Sequence, residues 1–303
     1  MSAARRESRA LPLTQPADVE RRFNGLARLY GIAGAKKIRE AHVVVVGLGG
    51  VGSWAAEALG RSGVARLTLI DLDHIAESNI NRQIHALGST LGQAKVQAMR
   101  DRIADINPMC EVRTVEEFVD SINWPGIAGF KGACSGSVCV IDACDQIKAK
   151  TAMAAWALVQ QGDKKSGAGV YFVSVGAAGG KRQAHKVDID DLAMVTHDPL
   201  LAQMRYRLRR QHGAAGKGLI GLACVFSREA VMRPVAGSAT PGDAPTSASA
   251  STGANAGDDI PGAAPSDQQD SSLNCHGYGS IVSVTATFGI CAAGWVLGKI
   301  AGQ

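Results

Sequence analysis

The sequence predicts an α/β protein with a doubly wound, mostly parallel sheet, on three observations. Short β-branched runs recur along the chain, helical stretches alternate with them, and glycine is abundant (36 of 303 residues) while aromatics are only 5%. His42 followed by four valines reads as a strand buried on both faces, ending at Gly47, with a helix through Trp54, Ala55, Ala58 and Leu59 behind it. Residues 66–71 form the next strand. A helix over 93–106 closes at Asn107-Pro108, and 112–115 is strand-like. Residues 138–142 and 170–175 are two further apolar strands, separated by a helix across 152–159.

Composition narrows the class of protein. Mean hydropathy is near zero, at +0.03, and 46% of residues are apolar, which suits a chain with a large core and excludes wholesale disorder. Lys and Arg number 32 against 27 Asp and Glu, a net charge of +5 that permits a polyanionic partner without demanding one. Seven cysteines, at 110, 134, 139, 144, 224, 275 and 291, include no CxxC pair, which argues for a reducing compartment and against a thiolate zinc site. Arg5, Arg6 and Arg9 have no apolar stretch behind them, so a cytoplasmic location is expected. Residues 277–298 carry no charge and reach membrane-spanning length, yet Ile281, Val284, Phe288 and Cys291 recur as on a helix pressed against a sheet; membrane association is the minor alternative.

Four segments follow from the changes in composition. Residues 1–20 are polar, with Pro12 and Pro16, and read as a flexible arm. Residues 21–234 read as one globular domain, with a basic region over about 196–233. Residues 235–272 are rich in Ala, Gly, Ser, Thr, Pro and Asp, bury too little apolar surface to offset ordering entropy, and read as a disordered insertion. Residues 273–303 form a helical segment that returns to the core. Trp54, Trp156, Trp295 and Cys224 read as core residues, and neither His42 nor His85 has metal-site spacing.

The chemistry gathers where strands end. Gly47, Gly49, Gly50 and Gly52 fit GxGxxG between the first strand and its helix, where bare backbone can approach a phosphate at a helix N-terminus. Asp71 ends the second strand, placed to accept from ribose hydroxyls. Together these predict a Rossmann-like nucleotide site without separating NAD from ATP. Arg82 and Lys95 shift the reading to ATP, because a triphosphate and its leaving pyrophosphate need cations that a redox cofactor does not. Asp142-Ala143-Cys144-Asp145 ends the fourth strand at the carboxyl edge, where a carboxylate is placed to hold Mg²⁺ between phosphates.

With GLGGVGS, DLDHIAESNINRQ, GQAKV and DACD in this order and spacing, residues 21–175 resemble the ubiquitin-activating-type adenylating enzymes, the superfamily of the molybdopterin and thiamine sulfur-carrier adenylyltransferases. The resemblance implies that Gly50 and Asp71 contact adenosine. It implies that Ser78, Asn79, Asn81, Arg82 and Lys95 hold the phosphates, and that Asp73, Gln83, Asp142 and Asp145 also serve the nucleotide, Asp145 as metal ligand. Gln146 stands where that family usually has Asn. The family also sends an N-terminal arginine to the partner subunit's phosphates; Arg22 and Arg28 are the candidates, Arg28 preferred. A homodimer is thereby implied.

The second half selects among members. Gly176-Ala177-Ala178-Gly179-Gly180, Asp190-Asp191-Leu192-Ala193, His197-Asp198-Pro199-Leu200, Cys224-Val225-Phe226-Ser227 and Gly277-Tyr278-Gly279-Ser280 make the chain similar to the bacterial tRNA threonylcarbamoyladenosine dehydratases. That resemblance implies ligase-type cyclisation with ATP and Mg²⁺, on tRNA carrying threonylcarbamoyladenosine, with sulfur-transfer proteins as further partners. The residues suit a tRNA: a helix starting at Asp198-Pro199 carries an apolar stripe, Leu201, Met204 and Leu208, while Arg205, Arg207, Arg209, Arg210 and Lys217 form a basic cluster able to follow phosphates. A solvated basic face is the plain alternative. Cys275 beside His276 is the best thiol nucleophile, although a mobile-loop cysteine is the simpler reading. A sulfur-carrier adenylyltransferase, a nucleotide-binding sulfur-relay scaffold and a redox Rossmann enzyme are the competing functions.

Overall fold

The computed structural model describes residues 17–130, 138–162, 169–232 and 278–303. In chain order the elements are α1 (Val19–Phe23), α2 (Gly25–Glu40), β1 (His42–Val46), α3 (Gly52–Arg61), β2 (Arg66–Ile70), α4 (Lys95–Ile106), β3 (Glu111–Val115), β4 (Val138–Asp142), α5 (Ile147–Gly162), β5 (Val170–Val175), β6 (Val187–Asp191), α6 (Pro199–Gln211), β7 (Ala223–Ser227) and α7 (Val282–Ala301). The seven strands lie in the order β3-β2-β1-β4-β5-β7-β6, parallel except for β6, which runs antiparallel beside β7 at the edge. The order reverses between β1 and β4, and ligands of doubly wound sheets bind at the carboxyl ends of such a pair.

Alternation along the strands builds two cores. Val43, Val45, Leu67, Leu69, Cys139 and Ile141 face a layer of α3, α4 and α7, while Val44, Val46, Ile70, Val140 and Phe172 face α5 and α6. Because both faces are covered, the central strands carry continuous apolar runs. β1, β4 and β5 occupy the residues expected for them.

Several expectations need correction. The flexible arm ends sooner than residue 20: Asp18 caps α1 by accepting from the Arg21 amide at 2.9 Å. The rest of the arm, the insertion at 235–272, Cys275 and His276 lie outside the described residues. β6 is not among the strands read from the sequence: it has no apolar run, since Asp188 and Asp190 alternate outward and meet Arg228 at 2.6 and 3.6 Å, as an antiparallel edge strand permits. Trp54, Trp156 and Trp295 are half-buried rather than core.

α7 is long and apolar enough to cross a membrane, and half of its most apolar stretch is buried inside the protein. Its buried line is Val284, Phe288, Ala292, Val296 and Ile300; Val284 and Phe288 face inward as expected, whereas Ile281 is exposed and Cys291 half-buried. α7 reaches the core by close approach to α3: a Cβ at Gly289 would lie 2.3 Å from the Val51 carbonyl oxygen. We therefore expect Gly289→Ala to lower the unfolding free energy by about 1–3 kcal/mol. Gly294, where an added Cβ would meet nothing within 4 Å, is the control: Gly294→Ala is expected to hold or raise stability, both variants being read by urea titration.

Candidate active site

The glycine loop joins β1 to α3, and its four glycines do different work. Gly47 has φ +84°, and a Cβ there would lie 2.8 Å from the Ala143 carbonyl oxygen; one at Gly52 would lie 1.8 Å from the Gly47 oxygen. These two are demanded by the loop's own packing. Gly49 faces open space, while a Cβ at Gly50 would meet Cγ of Arg82 at 3.2 Å, so the Arg82 side chain lies over this part of the loop. α3 starts behind it with no side-chain cap, and the Ser53 hydroxyl is buried without a partner. Bare backbone at a helix N-terminus beside a cation has the geometry to receive a phosphate.

Asp71 braces this loop. One carboxylate oxygen accepts from the Leu48 amide at 2.5 Å, and the other accepts from the Asp73 amide at 2.9 Å. Burial pushes its carboxyl above the ordinary range, against the pull of Lys95 and the two amides. The buried Lys95 ammonium is 3.8 Å from Asp71 and 2.6 Å from Asp73. Asp73, exposed, thus anchors Lys95.

The polar run after Ile75 is partly self-engaged. The Asn79 side chain accepts from the Ala76 amide at 3.1 Å, capping a short turn. Arg82 donates to the Ser78 carbonyl at 2.5 Å and to Asn81 at 2.8 Å, and Trp54 donates to the Arg82 carbonyl at 2.9 Å. Asn81 also donates to the Ser280 carbonyl at 3.2 Å, tying the cradle to the segment before α7. Ser78 is exposed, and Gln83 is buried with its carbonyl oxygen unpaired. Asn79 and Asn81 shape the loop; Arg82 is the group that overlies the glycines.

At the end of β4 the structure separates two aspartates that the sequence grouped. Asp142 is fully buried beneath the site, which removes it from the nucleotide contacts. Its Oδ2 accepts from Lys150 Nζ at 2.8 Å and from the Ser174 hydroxyl at 2.7 Å, and its Oδ1 accepts from the Cys144 amide at 3.3 Å and thiol at 3.1 Å. Asp145 stays half-buried in the following segment, whose Ala143 packs against Gly47. Among the described residues no three His, Cys, Asp or Glu side chains cluster as a metal cage. A single carboxylate suits Mg²⁺, which binds through one or two carboxylates, water and substrate phosphates.

Lys150 lies outside every motif that the sequence offers for the site. Burial pushes its ammonium down, but the Asp142 charge and hydrogen bond more than reverse this, so it remains protonated. Burial and the Asp142 charge push the Cys144 thiol well up, and burial holds Cys224 well up too, so neither is a thiolate nucleophile. His85 is buried with both ring nitrogens unpaired; burial, then Lys95 and Arg102, bring its pKa down to about 4, leaving a neutral imidazole.

The arginine helix is confirmed as a helix, but its arginines divide. Asp198 caps α6 by accepting from the Leu201 amide at 3.0 Å, and Leu201, Met204 and Leu208 are buried. Arg205 donates to the Leu192 and Val195 carbonyls at 2.9 and 3.0 Å, and Arg209 to the Ala215 carbonyl at 3.0 Å, so both buttress neighbouring loops. Arg207 is half-buried; Arg210 and Lys217 are exposed. Arg205, Arg209 and Arg210 nevertheless line a 550 Å³ cavity with Ala202 and Tyr206, an aromatic that the sequence reading missed. Toward the N-terminus, Arg22 donates to the Asp105 and Ile106 carbonyls at 3.2 and 2.6 Å, capping the end of α4, whereas Arg28 is exposed on α2.

Comparison with known proteins places this geometry. The model of the ThiF family matches residues 21–303. The chain is 37% identical over 282 residues to a tRNA threonylcarbamoyladenosine dehydratase of Escherichia coli, covering 92% of this chain and 93% of that protein. It superposes on the solved structure of E. coli tRNA N6-threonylcarbamoyladenosine dehydratase, TcdA, in complex with ATP with a TM-score of 0.71 at 35% identity, covering 94% of this chain and 96% of the other. Against the same enzyme in complex with AMP the TM-score is 0.72, at the same identity and coverage. The chain belongs to the ThiF family, on the branch that includes the tRNA threonylcarbamoyladenosine dehydratases.

Proposed function

We propose that this chain is an ATP-dependent tRNA threonylcarbamoyladenosine dehydratase, which cyclises the threonylcarbamoyl group beside the anticodon. The observation that carries this reading is the gathering of Gly49, Gly50, Arg82, Asp71 and Lys95 on the carboxyl side of β1 and β2, facing the Asp145 segment of β4. Likeness to dehydratases with ATP or AMP bound supports it over nearly the whole chain.

A carboxylate is a poor electrophile, since its charge is delocalised and its oxygen leaves badly. In the proposed reaction a threonyl carboxylate oxygen attacks the α-phosphorus of ATP, the bond to the β-phosphate breaks, and pyrophosphate leaves. Arg82, over Gly50, is positioned to offset charge on the phosphates, and Lys95 adds a second cation held by Asp71 and Asp73. Mg²⁺ would be held by Asp145 and would supply further positive charge to the phosphate oxygens. The carbamoyl group then attacks the activated carbonyl within the same molecule, the ring closes, and AMP leaves. Intramolecular attack gains a high effective concentration and needs no enzyme thiol. Arg28 is left to reach a second subunit's phosphates in a homodimer, since Arg22 is held at α4.

Purified protein, ATP, Mg²⁺ and tRNA carrying threonylcarbamoyladenosine are expected to yield a nucleoside lighter by one water, read by mass spectrometry of the digest; an unchanged nucleoside contradicts the proposal. Arg82→Ala is expected to lower kcat/KM by about 10²–10³-fold while the protein stays folded. For tRNA binding, Arg210→Ala and Lys217→Ala should each flatten the dependence of log affinity on log salt by roughly one unit. Arg205→Ala is expected instead to lower the melting temperature, through loss of its two carbonyl contacts.

A further inference from the structure

Beneath the nucleotide edge lies a group of polar side chains that the proposed reaction does not use. Lys150 and Asp142 have no solvent exposure, which is costly for either charge alone. Here every ammonium proton of Lys150 has an acceptor: Asp142 Oδ2 at 2.8 Å, the Ser174 hydroxyl at 3.1 Å and the Asp142 carbonyl at 3.4 Å. Ser174 in turn donates to Asp142 Oδ2, closing a ring of bonds. The other carboxylate oxygen reaches forward to the Cys144 amide and thiol.

That forward contact decides what the ring does. Residues 143–146 leave β4 and carry Asp145. They are pinned from one side by the Ala143 amide on the Val46 carbonyl at 2.8 Å, and the Lys150 amide donates to the Gln146 carbonyl at 2.9 Å from the other. The same segment packs against Gly47, so a shift in it is felt by the glycine loop. A hydrophobic pair could fill the space with equal or better stability. It could not offer an acceptor to the Cys144 amide.

We propose that Lys150 is a positioning residue for the activation of the carboxylate: through Asp142 it fixes the 143–146 segment against the glycine loop and so sets where Asp145 meets the phosphates. The inference rests on the dehydratase reading above.

Three variants test it: Lys150→Met, the uncharged, apolar pair Asp142→Leu with Lys150→Met, which leaves the Cys144 amide without its acceptor, and Ser174→Ala, which weakens the ring without touching charge. Melting temperature, calorimetric ATP affinity and the rate of AMP release with modified tRNA are compared with the parent. Lys150→Met alone is expected to lose stability and rate together. The uncharged pair is expected to recover the melting temperature and to bind ATP within about threefold of the parent, yet to keep at least a tenfold deficit in kcat. Ser174→Ala is expected to stay folded and to lose severalfold in kcat. Recovery of parental kcat by the uncharged pair would reduce Lys150 to simple charge compensation and overturn the proposal; should that pair fail to fold, parental kcat in Ser174→Ala overturns it instead. If the parent itself binds ATP but turns over no modified tRNA, the dehydratase reading fails on its own. The phosphorus NMR spectrum of bound ATP then decides: displaced resonances in Ser174→Ala support Lys150 as a positioning residue, and an unchanged spectrum refutes it.

Discussion

The contact on which the site depends is the one between Gly47 and the backbone of Ala143. Two crossover connections leave neighbouring parallel strands in opposite directions, and the cleft between them exists only if their first residues pass without side chains in the way. A Cβ at Gly47 would press on the Ala143 carbonyl, and one at Gly52 would overlap the Gly47 oxygen. The glycine signature is therefore first a requirement of backbone packing, and the backbone at Gly49 and Gly50, where the proposed reaction seats the phosphates, is what that packing leaves bare.

Charge is arranged around this cleft in layers. Asp142 and Lys150 form a closed, neutral pair below it, and Lys95 is held between Asp71 and Asp73 at its edge, while Arg82 lies across the glycines on carbonyl acceptors. Such prior placement suits the stabilisation of charge that develops during phosphoryl chemistry, because little reorganisation remains when the reaction occurs. The same logic separates the arginines of α6, where those bonded to loop carbonyls hold the surface together and Arg210 and Lys217 stay exposed.

Much of this was legible in the residues, for identifiable reasons. β1, β4 and β5 are buried on both faces, so their β-branched runs need no context to be read. β6 was invisible because its alternate aspartates are stabilised by Arg228, forty residues along the chain. Asp142 and Asp145 look alike in DACD by residue type, and the resemblance singles out Asp145 as metal ligand; that Asp142 lies fully buried depends on the whole fold and left no signal. Lys150 did leave a signal: it falls on the line of Ala149, Met153, Ala154 and Ala157, where a charge on the buried face of a helix implies a partner. Tyr206 and the unpaired imidazole of His85 left none.

The central claim is that the threonyl carboxylate is activated as an adenylate. Modified tRNA labelled with oxygen-18 in that carboxylate tests it most directly, by mass spectrometry of the small products after one turnover. Activation as an adenylate predicts one labelled oxygen in AMP, carried over when the ring closes. Unlabelled AMP, or ADP accompanied by labelled inorganic phosphate, would contradict it.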